Sequence, residues 1–408
     1  MLKYLTNSAC TVLAIASLVG HVSAEETIRV GAPLPLTGPL SPEGLKQQRG
    51  YNIWAKMVNK AGGISVAGKK YKVEIVYTDY ESNTPRAVQS AERLITREKV
   101  NFLFSPYASG ATKAASSVSE RHQIPTISAM ASSTAVYDQG YKYLFGMLSP
   151  NDTVAAAMAD IVSASGGKVK NIAIYARNDL FPLALAEAMN DSAKKRGLEV
   201  ISFDKYASGT MEHAPALTLM RQSKPDWVFA TGYINDLILV RKQMADLGVQ
   251  PKVITMIAAP AYQEFITAVG PLAENISSSV WWHPALEYKG KGVFGSTAEF
   301  VKAFKAEFGT IPDYAEASAS AAGVVLQLAI EAAKSIKPQE VRNALANLDV
   351  TTFYGPIRFA ETGQINSLKP PVFQIQNGKA VIVYPTDIKQ GDLRYMPNNT
   401  GMQGNAKP

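Results

Sequence analysis

The sequence has a single cysteine, Cys10, in 408 residues. Cys10 lies in a 24-residue leader that reads as an export signal. Lys3 gives a short positive start, Thr11 to Gly20 is an apolar run, and Val22-Ser23-Ala24 supplies the small residues of an A-x-A-like cleavage site. The run is too short to span a bilayer, which takes about 20 apolar residues. Cys10 precedes the apolar run, so a lipoprotein anchor is not expected. Removing residues 1–24 takes away one cation and no acid, so the net charge falls from +7 to +6. The exported chain then has no disulfide to make and is held by its core. No second apolar stretch is long enough for a membrane helix.

Other features are missing as well. There is no Lys/Arg run of the nucleic-acid-binding kind, so the mild positive charge reads as solubility and no nucleic-acid partner is expected. The histidines left after cleavage, His122, His213 and His283, are far apart, with no H-x-x-x-H spacing. Without cysteine, a zinc site would have to use carboxylates, so no metal and no cofactor are expected. No G-x-S-x-G elbow, P-loop or G-x-G-x-x-G after the first strand occurs. Ser192 with Lys195 and Ser202 with Lys205 match S-x-x-K by chance. Nothing activates a nucleophile, which favours binding over catalysis.

What is present is a 47% hydrophobic chain with strand-like runs alternating with helical ones. Residues 28–34, 72–78, 100–104 and 124–129 read as strands, and 43–60, a segment from Thr84-Pro85 and 109–121 as helices. Thr84 fits an N-cap, with Pro85 opening the helix. The pattern then starts again. Strands are expected at 171–175, 198–203, 227–230 and 252–256, with helices at 183–195, 214–222 and 235–247. The fold class is therefore α/β, with two Rossmann-like units of parallel sheet flanked by helices. Three more helices (297–307, 315–333, 338–348) and short strands at 357–359, 372–376 and 380–384 follow. These residues either form a third domain or return to complete the first two, which would build a hinge. The tail from Thr386 to Pro408 is polar and reads as loosely ordered.

Ligands of open parallel sheets bind beyond the carboxyl ends of the strands. Two such ends are rich in small hydroxyl residues: Ser105-Pro106-Tyr107-Ala108-Ser109-Gly110-Ala111-Thr112 and Ser128-Ala129-Met130-Ala131-Ser132-Ser133-Thr134. Hydroxyls beside a helix start suit a carboxylate, although helix capping is their commoner role. A third end, Ala230-Thr231-Gly232-Tyr233, sets a tyrosine at the rim.

At these residues the chain resembles the periplasmic solute-binding proteins of ABC importers, of the leucine/isoleucine/valine-binding type, over nearly all of the exported chain. The resemblance is carried by Gly31-Ala32-Pro33-Leu34-Pro35-Leu36-Thr37-Gly38-Pro39, Asn59-Lys60-Ala61-Gly62-Gly63-Ile64 and Tyr77-Thr78-Asp79 with Pro85-Arg86-Ala87. Ile124-Pro125-Thr126-Ile127-Ser128 and Tyr354-Gly355-Pro356-Ile357-Arg358-Phe359 add to it. It implies a type I two-lobe fold with a three-crossing hinge that closes on ligand, a monomer in the periplasm, and delivery to an inner-membrane permease. It divides the chain into a first lobe of 25–146 plus 278–352, a second of 147–277 plus 353–385, and the tail 386–408. The same fold serves ligand sensors for amides or amino acids, which would need a partner other than a permease.

The resemblance also implies a site. Ser109 and Ser132 fall where the family binds an amino acid's carboxylate, Met130 where a backbone carbonyl takes the ammonium, and Tyr233 where the second lobe closes on the ligand. Tyr314 falls on the apolar side, and Tyr107, after the first serine-rich strand end, is expected to form an apolar wall with Tyr233 and Tyr314. Ala259 stands in the stretch where amino-acid binders carry an acid for the ammonium. An unpaired buried ammonium costs several kcal/mol, so this departure favours a carboxylate or amide without an α-amino group. Glu43, at a pocket-lining position, or Glu316 near Tyr314 would restore the missing anion if turned inward. The plain alternative for both is a solvated helix acid.

Overall fold

The computed structural model describes residues 26–164, 166 and 168–396. The expected export signal and the last twelve residues lie outside the described residues. The chain begins with β1 (Thr27–Leu34), α1 (Ser41–Lys60), β2 (Ile64–Val66), β3 (Lys69–Asp79), α2 (Thr84–Thr96), β4 (Phe102–Phe104), α3 (Ser109–His122), β5 (Thr126–Ser128) and β6 (Leu144–Gly146). These strands form one six-stranded sheet in the order β2-β3-β1-β4-β5-β6. It is parallel apart from the β2–β3 hairpin.

The second series runs α4 (Asn151–Ser163), β7 (Asn171–Arg177), α5 (Leu180–Lys195), β8 (Glu199–Tyr206), α6 (Ala214–Ser223), β9 (Trp227–Thr231), α7 (Ile234–Asp246), β10 (Val253–Met256), α8 (Gln263–Val269) and β11 (Ile276–Ser279). Then come α9 (Thr297–Phe308), α10 (Tyr314–Ala333), α11 (Pro338–Ala346), β12 (Asp349–Thr352), β13 (Gly355–Arg358), β14 (Val372–Gln376) and β15 (Lys379–Tyr384). The second sheet has the order β15-β14-β11-β10-β9-β7-β8, and β12 pairs with β13 separately.

The architecture is thus α/β in two lobes, with most strand pairs parallel. The residues after β11 are not a third domain. α10 packs along α1 of the first lobe, while β14 and β15 add to the second sheet. The chain therefore passes between the lobes three times: after β6, after β11 and before β14. Trp281 Nε1 on the second passage donates to Ser149 O on the first at 2.9 Å, and Ser149 Oγ donates to Leu368 O on the third at 3.2 Å. Gln364 Nε2 donates to Ser132 O and Leu148 O at 3.0 and 3.1 Å. The three passages are thereby hydrogen-bonded to one another, as buried backbone groups require.

The α1–α10 contact depends on a glycine. A Cβ at Gly50 would stand 2.4 Å from Glu316 O and 2.6 Å from Ala319 Cβ, so any larger residue would push the helices apart. α10 itself is alanine-rich and buried along most of its length, which lets it pack against α1 on one side and the sheet on the other.

Two expectations are corrected. The cap of α2 is Asn83, whose side chain accepts from Arg86 N at 3.1 Å; Thr84 is already helical. Asparagine one residue earlier offers the same acceptor with the extended backbone that a cap needs. Residues 386–396 of the tail are tied down: Arg394 N donates to Gln374 Oε1, Gln376 Nε2 to Asp392 O and Met396 N to Lys252 O. Leu393, Tyr395 and Met396 pack on the core, so its apolar residues outweigh the polar composition. Among the described residues no single helix is long and apolar enough to cross a membrane, and no group of His, Cys, Asp or Glu could hold a metal ion.

Candidate functional site

The carboxyl ends of the parallel strands of both lobes meet at the cleft. From the first lobe, β4 runs through Ser105–Ala108 into α3, and β5 into the 129–133 segment. From the second lobe, β7 leads to α5, β9 through Gly232 to α7, and β10 through Ala259 to α8. The Gly232 position admits no side chain, because a Cβ there would lie 2.3 Å from Tyr206 Oη.

Ser109 is the first residue of α3 and fully buried. Its Oγ accepts from Ser133 N at 3.3 Å, which leaves its own O–H free to donate. Ser132 Oγ donates to Asn151 Oδ1 at 2.7 Å, linking the β5 loop to the start of α4 in the other lobe. Its one donor is therefore spent. Ser133 Oγ is buried with no partner among the described residues. Of the two serines in this loop, Ser133 thus holds the free hydroxyl, a distinction sequence reasoning did not make. Met130 is buried beside them.

The aromatic walls come from both lobes. Tyr107 faces Tyr233 across the cleft with ring centroids 5.7 Å apart. Tyr80 of the first lobe hydrogen-bonds Tyr107 O through its hydroxyl. Tyr233 is held by its surroundings: its N–H donates to Asp236 Oδ2 at 2.9 Å, and the Arg177 guanidinium lies 4.7 Å from its ring while donating to Asp236 at 2.9 Å. Tyr314 opens α10 and stacks on Tyr262 of the second lobe at 5.5 Å, receiving the Tyr262 hydroxyl at 2.8 Å. Trp281 tilts against Tyr314 at 5.4 Å and against Phe181 at 6.2 Å, and Phe181 reaches Tyr233 at 6.2 Å. Six buried rings thus form a connected chain, and burial pushes the hydroxyls of Tyr107, Tyr233, Tyr262 and Tyr314 well above the ordinary tyrosine range. Sequence reading named Tyr107, Tyr233 and Tyr314. It missed Phe181, Tyr262 and Trp281, whose only signal is that each follows soon after a strand of the second lobe.

Ala259 is buried in a single tight turn after β10, and its methyl offers no charge. Glu43 and Glu316 are both buried at 1% exposure, so the solvated alternative is wrong for both. Glu316 is taken up elsewhere. It pairs with Arg49, and its other oxygen accepts from Asp313 N at 3.0 Å in the cap of α10. Glu43 does face the other lobe: its Oε1 accepts from Ile234 N, the residue after Tyr233, at 3.2 Å. Burial raises its carboxyl to about 7 against these favourable contacts. A recess of about 400 Å³ is lined by Ser133 with Asp152, and one of about 730 Å³ by Tyr314 with Lys46 and Trp282.

A family described as periplasmic binding protein matches residues 27–380. The Leu/Ile/Val-binding protein homolog 8 of Brucella abortus is 27% identical over 397 residues, covering 94% of this chain and 96% of the relative. Two solved structures share the fold. The branched-chain amino acid transporter substrate-binding protein LivJ of Streptococcus pneumoniae, in complex with isoleucine, superposes with TM-score 0.78 at 24% identity, over 88% of this chain and 100% of that one. A solute-binding protein of an ABC transporter from R. palustris, in complex with benzoate, gives TM-score 0.77 at 21% identity, over 91% and 98%.

Proposed function

This chain belongs to the periplasmic binding protein family, and we propose that its two lobes clamp a small carboxylate-bearing ligand for delivery to the permease of an ABC importer. The observation that carries the reading is the meeting, at the interlobe contact, of free serine hydroxyls, Ser109 at the start of α3 and Ser133 in the loop after β5, with an apolar wall of six rings. Ser109 and Ser133 supply donors, and the N-terminus of α3 adds the positive end of its dipole. Tyr107, Tyr233, Tyr314, Phe181, Tyr262 and Trp281 supply the wall. Met130 contributes from the β5 loop, and Ser132 ties that loop to Asn151. The division into a first lobe of 25–146 plus 278–352 and a second of 147–277 plus 353–385 belongs to the same reading. Membership of the two large sheets supports it except at β11, whose last two residues lie past the 277 boundary, while the separate β12–β13 pair straddles the boundary at 352. We further place the protein in the periplasm as a monomer, exported by its first 24 residues, with no catalytic role.

Two relatives of this fold mark the range of ligands: one was solved with isoleucine and one with benzoate. The test is a thermal-shift panel of branched-chain and other amino acids beside aromatic and aliphatic acids. A ligand at 100 times its dissociation constant stabilises by about 2.7 kcal/mol. A response to at least one carboxylate, lost when its carboxyl is esterified, is expected. A response only to compounds without a carboxyl would overturn the reading.

A further inference from the structure

We propose that the ligand of the interlobe site is a carboxylic acid that also bears a hydrogen-bond-donating group, and that Glu43 receives that donor. The inference rests on the carboxylate reading of the same cleft. Glu43 Oε1 takes the Ile234 N–H of the opposite lobe at 3.2 Å, which sets the carboxylate next to Tyr233 and hence beside the aromatic wall. Its Oε2 is fully buried and has no partner among the described residues. One turn along α1, Gln47 is also fully buried, and its Oε1 is likewise without a partner. The serine end of the cleft therefore offers donors, while this face of α1 offers acceptors.

The cations nearby are already engaged. Lys46 is paired at 2.9 Å with both Asp313 and Glu264, and Arg177 at 2.9 Å with Asp236. The other charged or titratable groups that act on Glu43 or feel its charge are Asp236 on α7 and the hydroxyls of Tyr80, Tyr107, Tyr233, Tyr262 and Tyr314. None of them donates a hydrogen bond to Oε2. A buried acceptor without a donor is costly, and a ligand that carries the donor removes the cost on binding. A plain hydrocarbon acid satisfies the serines and leaves Glu43 as it was.

A hydroxyl and an ammonium both meet this requirement, and they differ in sign. A hydroxy acid brings a second negative charge into the cleft, so it binds best when Glu43 is protonated and weakens as pH rises past neutrality. An amino acid brings a cation, so it binds best when Glu43 is ionised and weakens as pH falls.

The experiment is titration calorimetry with matched pairs: benzoate against 3- and 4-hydroxybenzoate, and 4-methylpentanoate against leucine, at pH 6 and pH 8.5. The same series is run on Glu43→Leu and Glu43→Gln, with thermal melts to show that both fold. In the wild type, one donor-bearing member is expected to bind about tenfold or more tighter than its parent, the scale of a hydrogen bond to a charged group. Glu43→Leu removes that advantage at both pH values. Glu43→Gln keeps it for a hydroxyl donor and loses it for an ammonium. Equal affinities within both pairs, or an advantage that survives in Glu43→Leu, overturns the inference. If the parent acids bind and Ser109→Ala weakens them, the carboxylate reading stands even then. If no acid of either kind binds, both fall together.

Discussion

Lys46 of the first lobe stands 2.9 Å from Glu264 of the second and 2.9 Å from Asp313 of its own lobe. The two pairs are unequal. Asp313 is nearly buried at 11% side-chain exposure, whereas Glu264 is 55% exposed. Burial works against the Lys46 charge, but Asp313, Glu316 and Glu264 hold its ammonium above the ordinary range. An exposed ion pair is worth about 0–1 kcal/mol. Glu264→Ala is therefore expected to lower ligand affinity by less than about fivefold and to reduce its salt dependence. Lys46→Ala leaves the nearly buried Asp313 without its cation, while Glu316 keeps Arg49. It should cost about 3–5 kcal/mol of folding stability, read by chemical denaturation. Equal effects of the two substitutions would mean that the interlobe arm matters as much as the buried one.

The two serines of the carboxylate end are expected to separate on mutation. Ser109 has a free O–H, while Ser132 has spent its own on Asn151. Ser109→Ala should weaken carboxylate binding by about 1.5–3 kcal/mol, with the protein otherwise folded. Ser132→Ala removes a link between lobes and no donor to the ligand, so its effect on calorimetric affinity should be smaller. The reverse ranking would move the carboxylate from Ser109 to Ser132.

Much of this architecture is legible in the sequence, and what is hidden has physical causes. α2 announces itself because apolar and polar residues separate at helical spacing, with Ala87, Ala91, Leu94 and Ile95 on the buried face. α4 does not, because Ala155, Ala156 and Ala157 blur the contrast between faces. β11 reads Ile-Ser-Ser-Ser yet is buried throughout between two strands. Its serines bond inward to Ile254 O and Pro371 O, so polarity conceals a central strand. At the site, the serine loops, Tyr107 and Tyr233 are visible because they follow strands at marked positions, whereas Tyr314 opens a helix and is marked only by the family resemblance. Phe181, Tyr262 and Trp281 join only through tertiary packing. Glu43 and Glu316 look alike in sequence; the fold turns one to the other lobe and the other to Arg49 and its own helix cap.

Glu43 also makes folding depend on pH. Burial raises its carboxyl from 4.5 to about 7. The folded state therefore binds the proton more tightly than the unfolded state. Its contribution to stability is fully present below about 4.5 and is lost as pH rises through about 7. The shift corresponds to about 3 kcal/mol in magnitude. The stability of the wild type relative to Glu43→Gln should thus fall between pH 4.5 and 7.5 and then level off. Taking the difference between the two proteins cancels the other carboxylates, including Glu316, which burial and Asp313 also push upward. A flat difference over this range would mean that Glu43 is solvated or already paired in solution.

Trp281 should report the ligand by fluorescence. Trp54 and Trp227 are fully buried in the cores of their lobes, and Trp282 packs edge-on against Phe300 at 5.7 Å. Only Trp281 belongs to the aromatic wall, beside Tyr314 and Phe181, and its indole N–H also holds the first interlobe passage through Ser149 O. A ligand that presses on this wall alters the surroundings of that one indole. Ligand-induced change in intrinsic emission is expected in the wild type, in Trp54→Phe and in Trp227→Phe, and is expected to vanish in Trp281→Phe. The phenyl ring preserves most of the apolar contact but not the hydrogen bond to Ser149. Affinity in Trp281→Phe should therefore drop by about 0.5–1.5 kcal/mol, the worth of one neutral hydrogen bond. A full emission change in Trp281→Phe would place the ligand away from the six rings.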